Sequence, residues 1–140
     1  MLLSAADQQK IRESLSALPN PVTLLFFTQS LGCEACVPAG QIATELASLS
    51  DKVTLEEVNF VLDKDKVAAY GVDRVPALAV VGKEDYGIRF FGVPAGYEFT
   101  SLLDAVMLAG RGDSGLSEDS RKRLAAVTEP TNIQVFSTPT

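Results

Sequence analysis

Cys33 and Cys36 are the only cysteines of this chain, and Glu34 and Ala35 lie between them. They follow the apolar run Val22-Thr23-Leu24-Leu25-Phe26-Phe27-Thr28 and open a segment with helical patterning that runs to Leu49. Two intervening residues let the sulfurs meet across one helical turn. A helix N-terminus offers unpaired N–H groups and the positive end of the macrodipole, and both favour a thiolate. The chemistry this permits is thiol–disulfide exchange. Cys33, ahead of the helix, is the expected attacking sulfur, and Cys36, one turn in, the expected resolving thiol. A structural disulfide and two inert core thiols are the alternatives, although closing so short a loop would constrain the unfolded chain little. Glu34 and Ala35 are read as tuning residues. A carboxylate beside Cys33 disfavours its thiolate, and no Lys, Arg or His lies between the cysteines, so a reducing couple is expected. In the opposing reading Glu34 faces solvent and matters little.

The rest of the chain bounds what such a site can be. Its 140 residues suffice for one domain with a few added elements, and 46% of them are hydrophobic. A formal charge of -6 and a pI of about 4.6 argue against nucleic acid or an anionic membrane as a partner. No apolar stretch reaches the length of a membrane span. The segment Met1-Leu2-Leu3-Ser4-Ala5-Ala6-Asp7 lacks a basic stretch followed by a long apolar one, so no signal peptide is expected. With histidine absent and two cysteines too few for a zinc site, no metal or other cofactor is expected. A dithiol enzyme of the cytoplasm is the simplest reading.

Periodicity orders the elements that must position the pair. Ile11, Leu15 and Leu18 predict a helix over 7–18, ended by Pro19. Residues 22–28 read as a strand buried on both faces, and 34–49 as the helix of the dithiol, with Pro38 tolerated in its first turn. Residues 53–60 read as a strand and 63–70 as a short helix ended by Gly71. Strands at 77–82 and 87–92 form a hairpin across Lys83-Glu84-Asp85-Tyr86, and 97–109 closes the domain as a helix. Gly110-Arg111-Gly112-Asp113-Ser114-Gly115 is a linker by composition. Ser117 caps a helix to about Val127, and Asn132-Ile133-Gln134-Val135-Phe136 reads as one more strand.

The strand, Cys33-x-x-Cys36 and Tyr70-Gly71-Val72-x-x-Val75-Pro76 together resemble a thioredoxin fold. More narrowly, the chain resembles the glutaredoxin-like protein disulfide oxidoreductases, which carry two thioredoxin-fold units in tandem. The segments 90–99 and 133–140 extend the likeness, the latter matching the first strand of the second unit. The related N-terminal domain of the alkyl hydroperoxide reductase flavoprotein subunit shares the layout, but its first unit usually lacks the dithiol that Cys33 and Cys36 supply here.

This resemblance implies an α/β fold of thioredoxin type: a central mixed four-stranded sheet flanked by helices, with a C-terminal linker helix and an extra strand. It implies a thioredoxin-like unit over 1–110, and over 111–140 a linker, a helix and the first strand of a truncated second unit. It implies a cis bond between Val75 and Pro76, opposite the dithiol, leaving the Val75 backbone to pair with an extended substrate. The expected function is electron exchange with protein disulfides and dithiols. A flavoprotein reductase is a candidate electron source, and strand exchange through 133–137 a candidate route to a homodimer. Two rival functions accompany this one: a reductant module feeding a peroxidase, and a non-catalytic binding or scaffold unit of the same fold.

Overall fold

Val22–Thr28 has apolar side chains on both sides of its pleat, and a strand of that kind is stable only with cover on both faces. In the computed structural model, which describes residues 2–138, it is the interior strand β1. It pairs in parallel with β2 (Val53–Asn59), from Val22 opposite Val53 to Thr28 opposite Asn59. On its other side it pairs antiparallel with β3 (Ala77–Val81), which forms the expected hairpin with β4 (Ile88–Phe91). The sheet order is β2-β1-β3-β4, the mixed four-stranded arrangement.

Val22, Leu24 and Phe26 face a core made with α1 (Ala5–Ser16), α2 (Cys36–Ala47) and α4 (Tyr97–Arg111), through Leu15, Leu46 and Leu102 among others. Leu25 and Phe27 face a smaller core with Val58 and Val72, against which Val67 of α3 (Lys64–Ala69) packs. Each residue in these cores removes apolar surface from water at roughly 25 cal/mol per Å². Two close approaches set the spacing of the layers. A Cβ at Gly40 would lie 2.9 Å from Phe26 Cε1, so α2 rests directly on β1. A Cβ at Gly82 would lie 2.3 Å from the Ala109 carbonyl oxygen, so only glycine lets the end of β3 meet α4.

The helix bearing the dithiol is also tied to the N-terminal segment. Glu45, 8% exposed, accepts hydrogen bonds from the N–H groups of Leu2 (2.6 Å) and Leu3 (3.0 Å), and Gln8 Nε2 donates to it at 3.3 Å. Burial by itself opposes ionisation, but these donors outweigh it and hold the Glu45 carboxyl below the ordinary glutamate range. The segment leads into α1, which begins at Ala5 rather than at 7 because Ser4 Oγ accepts from the Asp7 N–H at 3.1 Å and caps it.

Beyond α4 the expectations need two corrections. Gly110 and Arg111 are the last residues of α4, not linker. Gly110 is buried so closely that a Cβ would lie 2.3 Å from Leu18 Cδ2, and the helix ends at Gly112, whose φ of 66° is left-handed. The helix after Ser117 forms as α5 (Glu118–Ala125), with no buried residue. The expected strand at 132–136, and with it the extra strand of the implied fold, is absent. Those residues have no regular structure and pair with neither sheet edge, and Ile133, Val135 and Phe136 are 82%, 86% and 90% exposed. Apolar side chains favour a strand only where a ladder partner exists, and none is at hand. Pro139 and Thr140 of the 133–140 segment, like Met1, lie outside the described residues.

The Glu45 clasp has a pH signature. A carboxyl whose folded-state pKa is depressed stabilises the fold above its unfolded pKa, and that contribution is lost as pH falls through the folded value. Wild type is therefore expected to exceed Glu45→Gln in stability by about 1–3 kcal/mol at neutral pH. Urea unfolding across the acid range should show the difference shrinking as Glu45 takes up its proton.

Candidate redox site

β1 ends at Thr28, and residues 29–35 carry the chain over the end of the sheet into α2. Cys33 lies in this connection, half-buried, and Cys36 is the first residue of α2, 5% exposed. The two form a disulfide, with Cα atoms 5.3 Å apart. The Cys36 N–H donates to the Cys33 carbonyl at 3.2 Å, closing the turn. Ala35 occupies the cap position and has no side-chain oxygen to offer; the Cys36 N–H is taken by the Cys33 carbonyl and Pro38 has none, so the Val37 N–H is the first-turn donor that no group among the described residues occupies. Once the disulfide is reduced, the Cys33 sulfur stands at an uncapped helix N-terminus and Cys36 is shielded behind it. Cys33 is the more exposed of the two residues and the one a partner can approach more readily, whereas Cys36 is buried.

Glu34 and Ala35 are exposed, and Glu34 has no hydrogen-bond or ion-pair partner among the described residues. The Val75–Pro76 peptide bond is cis. It immediately precedes Ala77, which pairs with Phe27 of β1, so it lies at the same end of the sheet as the dithiol segment. The Pro76 carbonyl accepts from the Gly92 N–H at 2.9 Å, whereas neither main-chain group of Val75 has a hydrogen bond among the described residues. The six residues expected at the site thus fall at one end of the sheet. Next to them the exposed pair Asp73 and Arg74 is joined by two hydrogen bonds, which hold the Asp73 carboxyl below its usual range, and the Arg74 guanidinium lies 5.5 Å from the Phe91 ring centre.

A groove of about 920 Å³ opens on the β2 side of the disulfide, with Cys33 and Cys36 in its wall and Phe26, Gln41, Thr44 and Glu57 among its other lining residues. Its sequence mark is slight. Alternation along β2 puts Glu57 on the same face as Val53 and Leu55, where an apolar residue is the default. Among the described residues no group of three or more His, Cys, Asp or Glu side chains is placed to hold a metal ion, and no helix is long and apolar enough to cross a membrane.

No protein-family model matches the chain. Among curated proteins it is similar to a probable thioredoxin of Methanothermobacter marburgensis, 30% identical over 76 residues that make up 53% of this chain and 85% of that protein. It is also similar to an NADH dehydrogenase of Ferdinandcohnia aciditolerans, 38% identical over 71 residues, 50% of this chain and 12% of that protein. Among solved structures it resembles a protein disulfide oxidoreductase from Aeropyrum pernix K1, with TM-score 0.80 and 26% identity over 90% of this chain and 56% of that one. It likewise resembles an alkylhydroperoxide reductase subunit of Enterococcus faecalis, with TM-score 0.82 and 28% identity over 91% of this chain and 62% of that one. The chain thus covers a small part of the NADH dehydrogenase and little more than half of the two solved chains.

The difference in exposure between Cys33 and Cys36 predicts their reactivity. After reduction, a limiting amount of iodoacetamide should label Cys33 ahead of Cys36, read by mass spectrometry of the tryptic peptides. Equal labelling would contradict the burial of Cys36 relative to Cys33.

Proposed function

Since the chain belongs to the thioredoxin family, we propose that it is an oxidoreductase that exchanges electrons with protein disulfides through Cys33 and Cys36. The observation that carries this reading is a disulfide between a half-buried Cys33 and a buried Cys36 where β1 hands over to α2. In the reducing direction, the Cys33 thiolate attacks one sulfur of the target disulfide. That S–S bond breaks, a mixed disulfide forms, and the other target sulfur leaves as a thiolate that takes up a proton. Cys36, losing its proton, then attacks Cys33 Sγ. The Cys33–Cys36 bond forms, the second target thiol is released, and two electrons have passed from the dithiol to the target. The same steps in reverse oxidise a target dithiol.

In this reading the unpaired main chain of Val75 holds an extended target segment beside the sulfurs, with Pro76 fixing its direction. Glu34 and Ala35 set the potential between them, the Glu34 carboxylate acting against the helix dipole on the Cys33 thiolate. Protein disulfides are the substrates, a flavoprotein reductase is the electron source, and the cytoplasm is the compartment. With the end of α4 moved to Arg111, residues up to 111 are the redox unit, and those from 112 on an arm leading toward a second unit of the same kind. Strand exchange through 133–137 with a second copy is the candidate route to a homodimer. Supporting the arm, residues 112–138 add nothing to either core.

A second reading is favoured by the similarity to the alkylhydroperoxide reductase subunit: the dithiol passes electrons onward to a peroxidase. A third keeps the fold as a docking unit without exchange chemistry. Insulin reduction in the presence of dithiothreitol separates the third from the others. Wild type should accelerate precipitation of the insulin chains, and Cys33→Ser should return the rate to that of dithiothreitol alone. Cys36→Ser should accumulate a mixed disulfide, visible as a mass increase that dithiothreitol removes. An inactive wild type would support the docking unit. Peroxide consumption in a mixture with a flavoprotein reductase and a peroxidase would select the second reading.

A further inference from the structure

The groove beside the disulfide lies away from the cis bond. Val75 and Pro76 stand on the β3 side of β1, whereas the groove extends toward β2 and includes neither of them. Its floor is Phe26 and Thr28 of β1. One wall is the stripe Val37, Gln41, Thr44 and Ser48, whose spacing of four, three and four places it on one face of α2 and the residue after it. The groove therefore follows α2 for nearly its whole length, about 18 Å at 1.5 Å per residue. That is room for about five residues of extended polypeptide at roughly 3.3 Å each.

The charge of the groove has one sign. Glu45, Glu57 and Asp63 line it, and no Lys or Arg does. Two of these carboxylates are occupied: Glu45 by the N–H groups of Leu2 and Leu3, and Asp63 by the Asn59 N–H at 2.8 Å. Glu57 has no partner among the described residues. Its neighbour Glu56 points to the opposite face of the sheet and pairs there with Lys66, so that cation does not neutralise Glu57. At the rim, Asn59 Oδ1 accepts from the N–H groups of Val61 and Leu62, both at 3.0 Å. This fixed turn holds Val61 and Leu62 outward, 55% and 77% exposed, and Val37 at the disulfide end is 65% exposed.

We infer that the groove is a specificity site for the polypeptide that carries the target disulfide, selecting a segment that sets a lysine or arginine against Glu57 and apolar residues against Val61 and Leu62. The inference rests on the redox reading above, since continuity with Cys33 and Cys36 is what brings a target segment into the groove. Its electrostatic part is short-ranged and weakens with salt.

Two synthetic peptides that share one disulfide ring and differ only in flanking arginine or flanking glutamate test it. The quantity read is the ratio of their kcat/KM values. In wild type the arginine peptide should be preferred by about fivefold at low ionic strength, the scale of one exposed ion pair, and the preference should fall as salt is added. Glu57→Lys should bring the ratio to one or invert it, and Glu57→Gln should give an intermediate value and serves alone if the lysine variant does not fold. Glu118→Lys makes the same change in net charge on α5 and should leave the wild-type ratio. A wild-type ratio of one, a ratio that survives Glu57→Lys, or an equal loss in Glu118→Lys would overturn the inference. If wild type reduces a small neutral disulfide and yet shows no peptide preference, the groove assignment alone fails. If it reduces no disulfide at all, the redox reading fails and the groove assignment goes with it.

Discussion

The arrangement depends on cover for both faces of β1. Its side chains are apolar on either side of the pleat, so it can lie only between a helical layer and a second core. With β1 interior, the connection to α2 has to leave from its C-terminal end, and the first residues of α2 have to stand above the sheet edge. Parallel pairing with β2 and antiparallel pairing with β3 then bring two other loops to that same end. One of them carries Val75 and Pro76, and the other carries the turn at Asn59. The chemistry of the site is local to two sulfurs, but their surroundings come from three segments far apart in the chain.

The depth of Cys36 follows from the same packing. Glycine at position 40 lets α2 settle onto the Phe26 ring, one turn below Cys36. A helix held off by a side chain there would lift the second sulfur toward solvent and erase the contrast between the two thiols. The Glu45 clasp acts at the other end of the helix, where it joins α2 to the segment that leads into α1. The helix of the dithiol is thus fixed by dispersion contact near its start and by charge-assisted hydrogen bonds near its end.

Much of this was legible from local pattern. The run at 22–28, the Cys33–Cys36 spacing, the hairpin across 83–86 and the Ser117 cap each depend on residues close in sequence, and each stands where expected. The cis bond at Val75–Pro76 came from family resemblance, not from anything in the local chemistry. What was not legible is nonlocal. Gly110 has the composition of a linker and the surroundings of a core residue, because Leu18 lies against it from the far end of the chain. Glu57 belongs beside Phe26 only once the register of β1 and β2 is known. The segment 132–136 has the apolar content of a strand, but periodicity reports the preference of a segment and cannot supply its partner.

The arm beyond Gly112 differs physically from the body it leaves. α5 is short, buries none of its residues, and is held by its Ser117 cap and by ion pairs of Arg121 with Asp113 and of Arg123 with Asp119. An isolated helix of that length is marginal in water. Its amides are expected to exchange with solvent hydrogen through local openings that leave the sheet untouched. Because the arm adds nothing to either core, its opening costs the sheet no buried contact, and a protease cutting between 112 and 117 would leave both cores closed.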